Sequence, residues 1–469
     1  MIFRALVSAQ VALMLFAMCS EHIASAVGLA TSYVSPGGSG NCTAASPCGS
    51  IDVALRSASA GGTILLASGR YPTQVIHDTG GRAAHFATNV TVEPASGANP
   101  VLASIVDYAP HLTFAHLRVD ATSSGFGSGY GGVNITSQAP HSQLVNSHLT
   151  NATLSLSSSD VSAVGNEIGP SQNYDGIDVG NGANGVLISH NHIHDLTVGA
   201  SNPNNVHVDC VQIYDSANLT VTSNWLDNCT DRDLIFSPGR RWGVTNVIVE
   251  NNFMRGCVTT PCQGSGYVVD ARTAPGIWNL TNLSFVSNTV VDGSTLIAAN
   301  DPGLTFRDNI VSFLGNCMNV SDHNLIAAYN RGLCKDPAFL GGTNLLQALP
   351  NFVNRSAGDL HLAGADSRLR FAVQAAQPMT DIDGFRRCEP SYVGAHDFCA
   401  HTLGSGGAPP KPNPPAQKAT KPKPVVPKAV TKAPPTVNGG VPWLLLGALI
   451  AVTIAVVIEF RVRLGRWPW

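Results

Sequence analysis

Apolar and polar residues alternate along this chain in short pieces, and one piece recurs. It runs apolar residue, two spacers, Asn, one spacer, apolar residue, and is centred on Asn166, Asn191, Asn224, Asn252, Asn288 and Asn309. The leading apolar positions are Ala163, Ile188, Val221, Val249, Phe285 and Phe306, and the trailing ones Ile168, Ile193, Leu226, Met254, Val290 and Val311. A repeat that returns every 21 to 36 residues, built of strand-length pieces and turn residues, predicts a solenoid. Each rung of such a coil can bury its apolar face only against its neighbours. An interior apolar column is therefore expected, and beside it a column of asparagines at one bend, bonded rung to rung. The uneven steps predict loops inserted at one edge, notably at 199–206 and 258–266.

The flanks fit the same architecture. Ile51 to Ala58 has helical spacing and ends at Gly61-Gly62, and Thr63 to Leu66 reads as a strand closed by Gly69-Arg70-Tyr71-Pro72. Near the other end stand Asp336-Pro337-Ala338-Phe339, Asn351-Phe352-Val353-Asn354, Gly358-Asp359-Leu360-His361-Leu362 and Thr380-Asp381-Ile382-Asp383-Gly384-Phe385-Arg386. This order resembles the right-handed parallel β-helix proteins of the pectate-lyase-like superfamily. The resemblance covers about residues 31–400. It implies an all-β, right-handed parallel β-helix (a solenoid) whose short N-terminal helix caps the coil, with rungs from about Val90 to Ile326.

Outside that domain the composition changes. Arg4, the apolar run Ala5 to Met18 and Ala24-Ser25-Ala26 read as a signal peptide over 1–26. Residues 404–440 form a linker rich in Pro and Lys, without acidic residues, able to extend on the order of 100 Å. Residues 441–460 are apolar and long enough to cross a bilayer once, and Arg461, Arg463 and Arg466 in 461–469 predict a cytoplasmic tail. The expectation is a single-pass cell-membrane protein with its β-helix domain extracytoplasmic, or extracellular, on one C-terminal transmembrane helix.

Removing Cys19 with the signal leaves ten cysteines, which fall into sequence-adjacent pairs: Cys42 with Cys48, Cys210 with Cys229, Cys257 with Cys262, Cys317 with Cys334, Cys388 with Cys399. Their spacing matches no zinc motif, and an exported chain can keep disulfides, although sequence does not settle connectivity. A net charge of −3 argues against a nucleic-acid partner. A monomer is expected.

The sharpest candidate chemistry lies on three successive rungs. Aligning Asp175-Gly176-Ile177-Asp178 with Asp209-Cys210-Val211-Gln212 and Asp233-Leu234-Ile235-Phe236 puts Asp175, Asp209 and Asp233 in one column, and Cys210 beside Gly176 and Leu234. Rungs about 4.8 Å apart would force those carboxylates to share a proton or a cation, and Ca²⁺ takes oxygen ligands. His207 is the candidate acid or base, so the expected catalytic set is Asp175, Asp209, Asp233 and His207, with Asp175, Asp209 and Asp233 also the candidate Ca²⁺ ligands. Asp178, Arg241 and Arg272 are candidate substrate contacts, and Asp231, Arg232 and Arg240 lie close by in sequence. Asn173-Tyr174-Asp175-Gly176-Ile177-Asp178 and Val208-Asp209-Cys210 are similar to elements of the polygalacturonase family. Val208 replaces that family's first aspartate of the second element, and its Gly-His-Gly and Arg-Ile-Lys elements do not follow.

Asp at a bend is also ordinary turn chemistry, so a purely structural column stands beside the functional reading. His190, His192 and His194 alternate, and with Ile193 pointing inward they are expected to face solvent. Two functions follow. One is action on, or binding of, an extracellular or wall polysaccharide, as a lyase or glycoside hydrolase. The other is a non-catalytic surface adhesin or structural envelope protein.

Overall fold

The computed structural model describes residues 31–402, apart from 79–80, 124–130, 200–206, 238–242, 260–261, 264–265, 273–279, 298–300, 302, 317–320, 335–342 and 372–377. The signal, linker, anchor and tail of the sequence reading lie outside the described residues, as do Arg240, Arg241 and Cys317. Among the described residues no helix is long and apolar enough to cross a membrane.

The chain winds as a parallel β-helix. One face is a sheet of 12 parallel strands, beginning with Thr31–Val34, Thr63–Leu66 and Val90–Pro94 and ending with Ser321–Asp322. The second sheet has 19 strands and is two further faces joined at a corner. The junction is the long strand Thr289–Ile297, which pairs through Thr289 to Val291 with Phe253–Arg255 and through Ser294 to Ile297 with Tyr267–Ala271. Rungs thus begin well before Val90. The helix of the N-terminal flank is present but spans only Ile51–Leu55. It buries Ile51, Ala54 and Leu55, and Ser50 caps it by accepting from Val53 N–H.

The apolar columns are those of the repeat. Ala163, Ile188, Val221, Val249, Phe285 and Phe306 are register partners in succession. Ile168, Ile193, Leu226, Met254, Val290 and Val311 form the second column, and every one of the twelve is fully buried.

Between the columns runs the asparagine ladder. Each Nδ2 donates to the next rung's Oδ1, from Asn166 to Asn191 (2.9 Å), Asn224 (3.0 Å), Asn252 (3.0 Å), Asn288 (3.0 Å) and Asn309 (3.2 Å). It continues beyond the expected six to Asn324 and Asn344. Each ladder backbone N–H also donates to the next Oδ1, and each Nδ2 to a carbonyl of the rung before, so these buried amides are saturated. The residue before each ladder asparagine turns the corner in the left-handed region: Gly165, His190, Ser223, Asn251, Ser287 and Asp308 have φ between 55° and 68°.

A C-terminal segment closes over one face. Strands Phe352–Asn354 and Asp359–Leu362 form an antiparallel pair. Trp225 Nε1 donates to Gly358 O at 2.7 Å, Arg255 forks Asp227 while donating to the carbonyls of Arg355 and Ser356, and buried Arg387 reaches Asn251 Oδ1 at 2.7 Å. Disulfides join Cys42–Cys48, Cys210–Cys229, Cys257–Cys262 and Cys388–Cys399, four of the sequence-adjacent pairs.

Candidate functional site

Three strands stacked on one face carry the candidate residues: Ile177–Val179, Val211–Ile213 and Leu234–Phe236. Ile177 pairs with Val211, and Gly176 N–H donates to Asp209 O at 2.9 Å, so Asp175 does stand over Asp209. Gly176 is required there: a Cβ would lie 2.5 Å from Cys210 O and 2.6 Å from Ile193 Cγ2.

The next step differs from the sequence alignment by one residue. Val211 pairs with Leu234, not Ile235, so Cys210 faces Asp233 and Asp209 faces Arg232. Strand side chains alternate, and a slip of one residue moves a side chain to the other face. Asp233 therefore points into the coil, fully buried against the Cys210–Cys229 disulfide. Its carboxyl is pushed well above the usual range, by burial first and by the Asp227 charge next. Asp233 leaves the proposed catalytic and metal sets for this reason.

What the structure brings together instead is Asp175, Asp178, His207, Asp209 and Asp231. His207 Nδ1 lies 2.6 Å from Asp209 Oδ2, and Asp209 N–H donates to Asp175 Oδ1 at 2.6 Å. Asp209 is wholly buried while the His207 side chain is half-exposed, so the histidine is the member of the pair that meets solvent. The Asp209 hydrogen bond pushes His207 up to about 9, making it a cation at neutral pH. Burial, reinforced by Asp178 and Asp209, pushes Asp175 well up. Burial, then the Asp209 charge, pushes Asp178 up to about 7, with His207 opposing. Asp231 is also raised, chiefly by burial. Buried oxygens of Asp178, Asp209 and Asp231 (Oδ1 in each) lack a donor.

The arginines are engaged. Arg232 grips Asp231 and donates to Asp270 Oδ2 at 3.2 Å, while Arg272 forks Asp270 with two bonds of 2.7 Å. Arg272 also lies 5.5 Å from the Tyr267 ring centroid. Asp270, which the sequence did not single out, is register partner of Ile235, three rungs beyond Asp178 through Gln212 and Ile235. Only the true register puts it in that column.

One ligand atom each from Asp175, His207 and Asp209 falls within 4.8 Å of the others, and Asp233, buried inside the coil, is not in that group. The three would offer two carboxylates and an imidazole, whereas Ca²⁺ takes six to eight oxygens.

The alternating histidines also differ from expectation. His190 is the exposed bend residue, whereas His192 and His194 stack on each other at 4.3 Å and His192 also lies 5.5 Å from Trp225, which Gly358 pins. Burial pushes His192 down to about 4. A second cluster went unseen in sequence: His361 bridges Asp359 (2.5 Å) and Asp383 (3.0 Å), and His401 meets Asp381 at 2.8 Å. Neighbouring His396 accepts Leu362 N–H through Nδ1, so this cluster staples the C-terminal segment.

No family profile matches the chain, and no curated protein matches it by sequence. Among solved structures it is similar to a complex of XylC with xylose, at 10% identity over 79% of this chain and 98% of that one, TM-score 0.45. It is similar to pectate lyase Pel9A at 12% identity over 79% and 97%, TM-score 0.41. An alginate lyase from Paenibacillus sp. str. FPU-7 follows at 13% identity over 63% and 96%, TM-score 0.31. The likeness is one of parallel β-helix proteins and concerns the coil alone.

Proposed function

We propose that this β-helix cleaves an extracellular polysaccharide by acid–base glycoside hydrolysis at the Asp175–Asp178 pair. The observation that carries the reading is one half-open cluster of carboxyls with raised pKa values around a histidine cation. Two carboxyls that repel each other in a desolvated site hold one proton between them near neutral pH, which supplies an acid and a base. Asp175, pushed well up by burial, protonates the leaving glycosidic oxygen. Asp178, titrating at about 7, takes the proton from the attacking water. Asp209 is too buried to touch a substrate and acts as a positioning residue through His207 and its own backbone N–H.

The test is a screen of the full-length protein against neutral and acidic polysaccharides with Ca²⁺ or chelator. New reducing ends without unsaturated-product absorbance are the expected result, and unsaturated products would replace hydrolysis by β-elimination. The pH profile carries a sign. Cleavage should rise as pH climbs through about 7, where Asp178 loses its proton. His207 favours that ionisation, so His207→Gln should move this limb to higher pH; a limb unmoved or moved downward contradicts the assignment.

A second reading, a non-catalytic surface binder, is favoured by the flat outer row Thr113, Gln143, Ser162, Thr220, Ser284 and Thr305, which is evenly polar except at Leu187 and Ile248. Retention of a glycan without any cleavage in the same screen would select it. Export and a single C-terminal anchor belong to both readings. Four disulfides support an oxidising compartment.

A further inference from the structure

Beside the cluster, and sharing Asp231 with it, lies a cavity of about 100 Å³. Gln263, Tyr267, Val268 and the Cys257–Cys262 disulfide also line it. Its wall is held in place. Asn228 Oδ1 accepts from Val258 and Thr259 N–H at 3.1 Å each, the disulfide closes the loop, and Gln263 N–H donates to Thr230 O at 2.6 Å.

Two features decide what this cavity can take. The first is a surplus of acceptors. Asp231, more than nine-tenths buried, has an Oδ1 without a donor, and so does the buried Gln263 Oε1; Asp178 adds one more such oxygen next door. A buried acceptor left without a donor costs about 1–3 kcal/mol, so a ligand that supplies donors is favoured and one that brings further acceptors is not. The second is the state of the cations. Arg232 and Arg272 are bound to Asp231 and Asp270, and His207 to Asp209, so each described cation around the cluster already faces a carboxylate. A sugar carboxylate entering here would meet four aspartates and would have to break one of those pairs to find a counter-charge.

We propose that the cavity is a sugar subsite for the hydroxyl-bearing edge of an uncharged sugar, which makes the substrate a neutral glycan and not a uronate. The proposal rests on the polysaccharide reading above and narrows it. A volume of about 100 Å³ is that of roughly three waters, so it admits one edge of a ring while the rest lies in the open cluster.

Titration calorimetry on the full-length protein tests this, with xylotetraose, cellotetraose and mannotetraose against tetragalacturonate and tetraguluronate, each with Ca²⁺ or with chelator. At least one neutral tetramer should bind, and Gln263→Leu should weaken it about tenfold while the melting temperature stays within a degree or two. Preferential binding of a uronate, with or without Ca²⁺, overturns the proposal. A neutral glycan bound equally by Gln263→Leu and wild type overturns the subsite and leaves the hydrolase reading intact. Binding of no glycan at all removes the polysaccharide reading itself, and the subsite with it.

Discussion

Asp178→Asn should lower the rate of glycan cleavage by about 10²- to 10⁴-fold, the range general acid–base groups supply, while glycan affinity and melting temperature change little. The side chain stands on strand Ile177–Val179, held up to about 7 by burial and by the neighbouring Asp209 charge. Asn keeps its shape and removes only the titrating oxygen. The informative control is Asp233→Asn. A column of three aspartates predicts that this substitution is as damaging as the first. The observed register predicts cleavage near the wild-type rate, because Asp233 lies fully buried inside the coil, away from any substrate. Initial rates of reducing-end release for both variants decide the matter. If Asp178→Asn keeps a rate within about threefold of wild type, the Asp175–Asp178 assignment is wrong.

The largest stability loss is expected from the ladder. Asn224→Ala removes the acceptor of Asn191 N–H and Nδ2–H, both at 3.0 Å, and the donor to Ile188 O at 2.9 Å. These groups are buried between two apolar columns and water cannot replace the amide. At about 1–3 kcal/mol for each stranded group, with incomplete additivity, the cost is about 3–6 kcal/mol. A coil transmits stability between neighbouring rungs, so unfolding in urea should become less cooperative as well as earlier. Asn218→Gly is the contrasting case. Asn218 belongs to an outer ladder, bonding Asn184 at 2.7 Å and Asn246 at 2.9 Å, but it is exposed and its φ of 56° suits glycine. Its loss should cost about 1 kcal/mol or less. Equal effects from the two substitutions would show that the buried ladder is not what holds the rungs.

The two ladders also illustrate how far the sequence could be read. The inner one was legible because each asparagine sits between two apolar residues at fixed offsets, and that pattern has a single physical explanation. The outer one was not, since Asn184, Asn218, Asn246 and Asn282 are flanked by residues that any exposed turn tolerates. Asp233 was misplaced for a related reason. Leu234, Ile235 and Phe236 are all buried, so the strand shows no alternation by which to tell its inner face from its outer one. Counting from aspartate to aspartate then chose the wrong register by one residue. The same slip hid Asp270, and with it the fact that Arg232 and Arg272 are already engaged. Likewise the shielding of His192 depends on Trp225 and on Gly358, a residue more than 130 positions further along.

By itself, then, the sequence determined the coil: its apolar columns, its asparagine ladder and the flanking elements. Each of these is set by spacing within one rung or between adjacent rungs, where a period of two or a repeated offset leaves few alternatives. Tertiary structure alone decided the site. Which carboxyls meet, which are turned inward and which cations are already taken depend on a one-residue register between rungs and on loops of unequal length. A shift of one position exchanges the inside of a strand for its outside, and local pattern carries no information about it where a strand is buried on both faces.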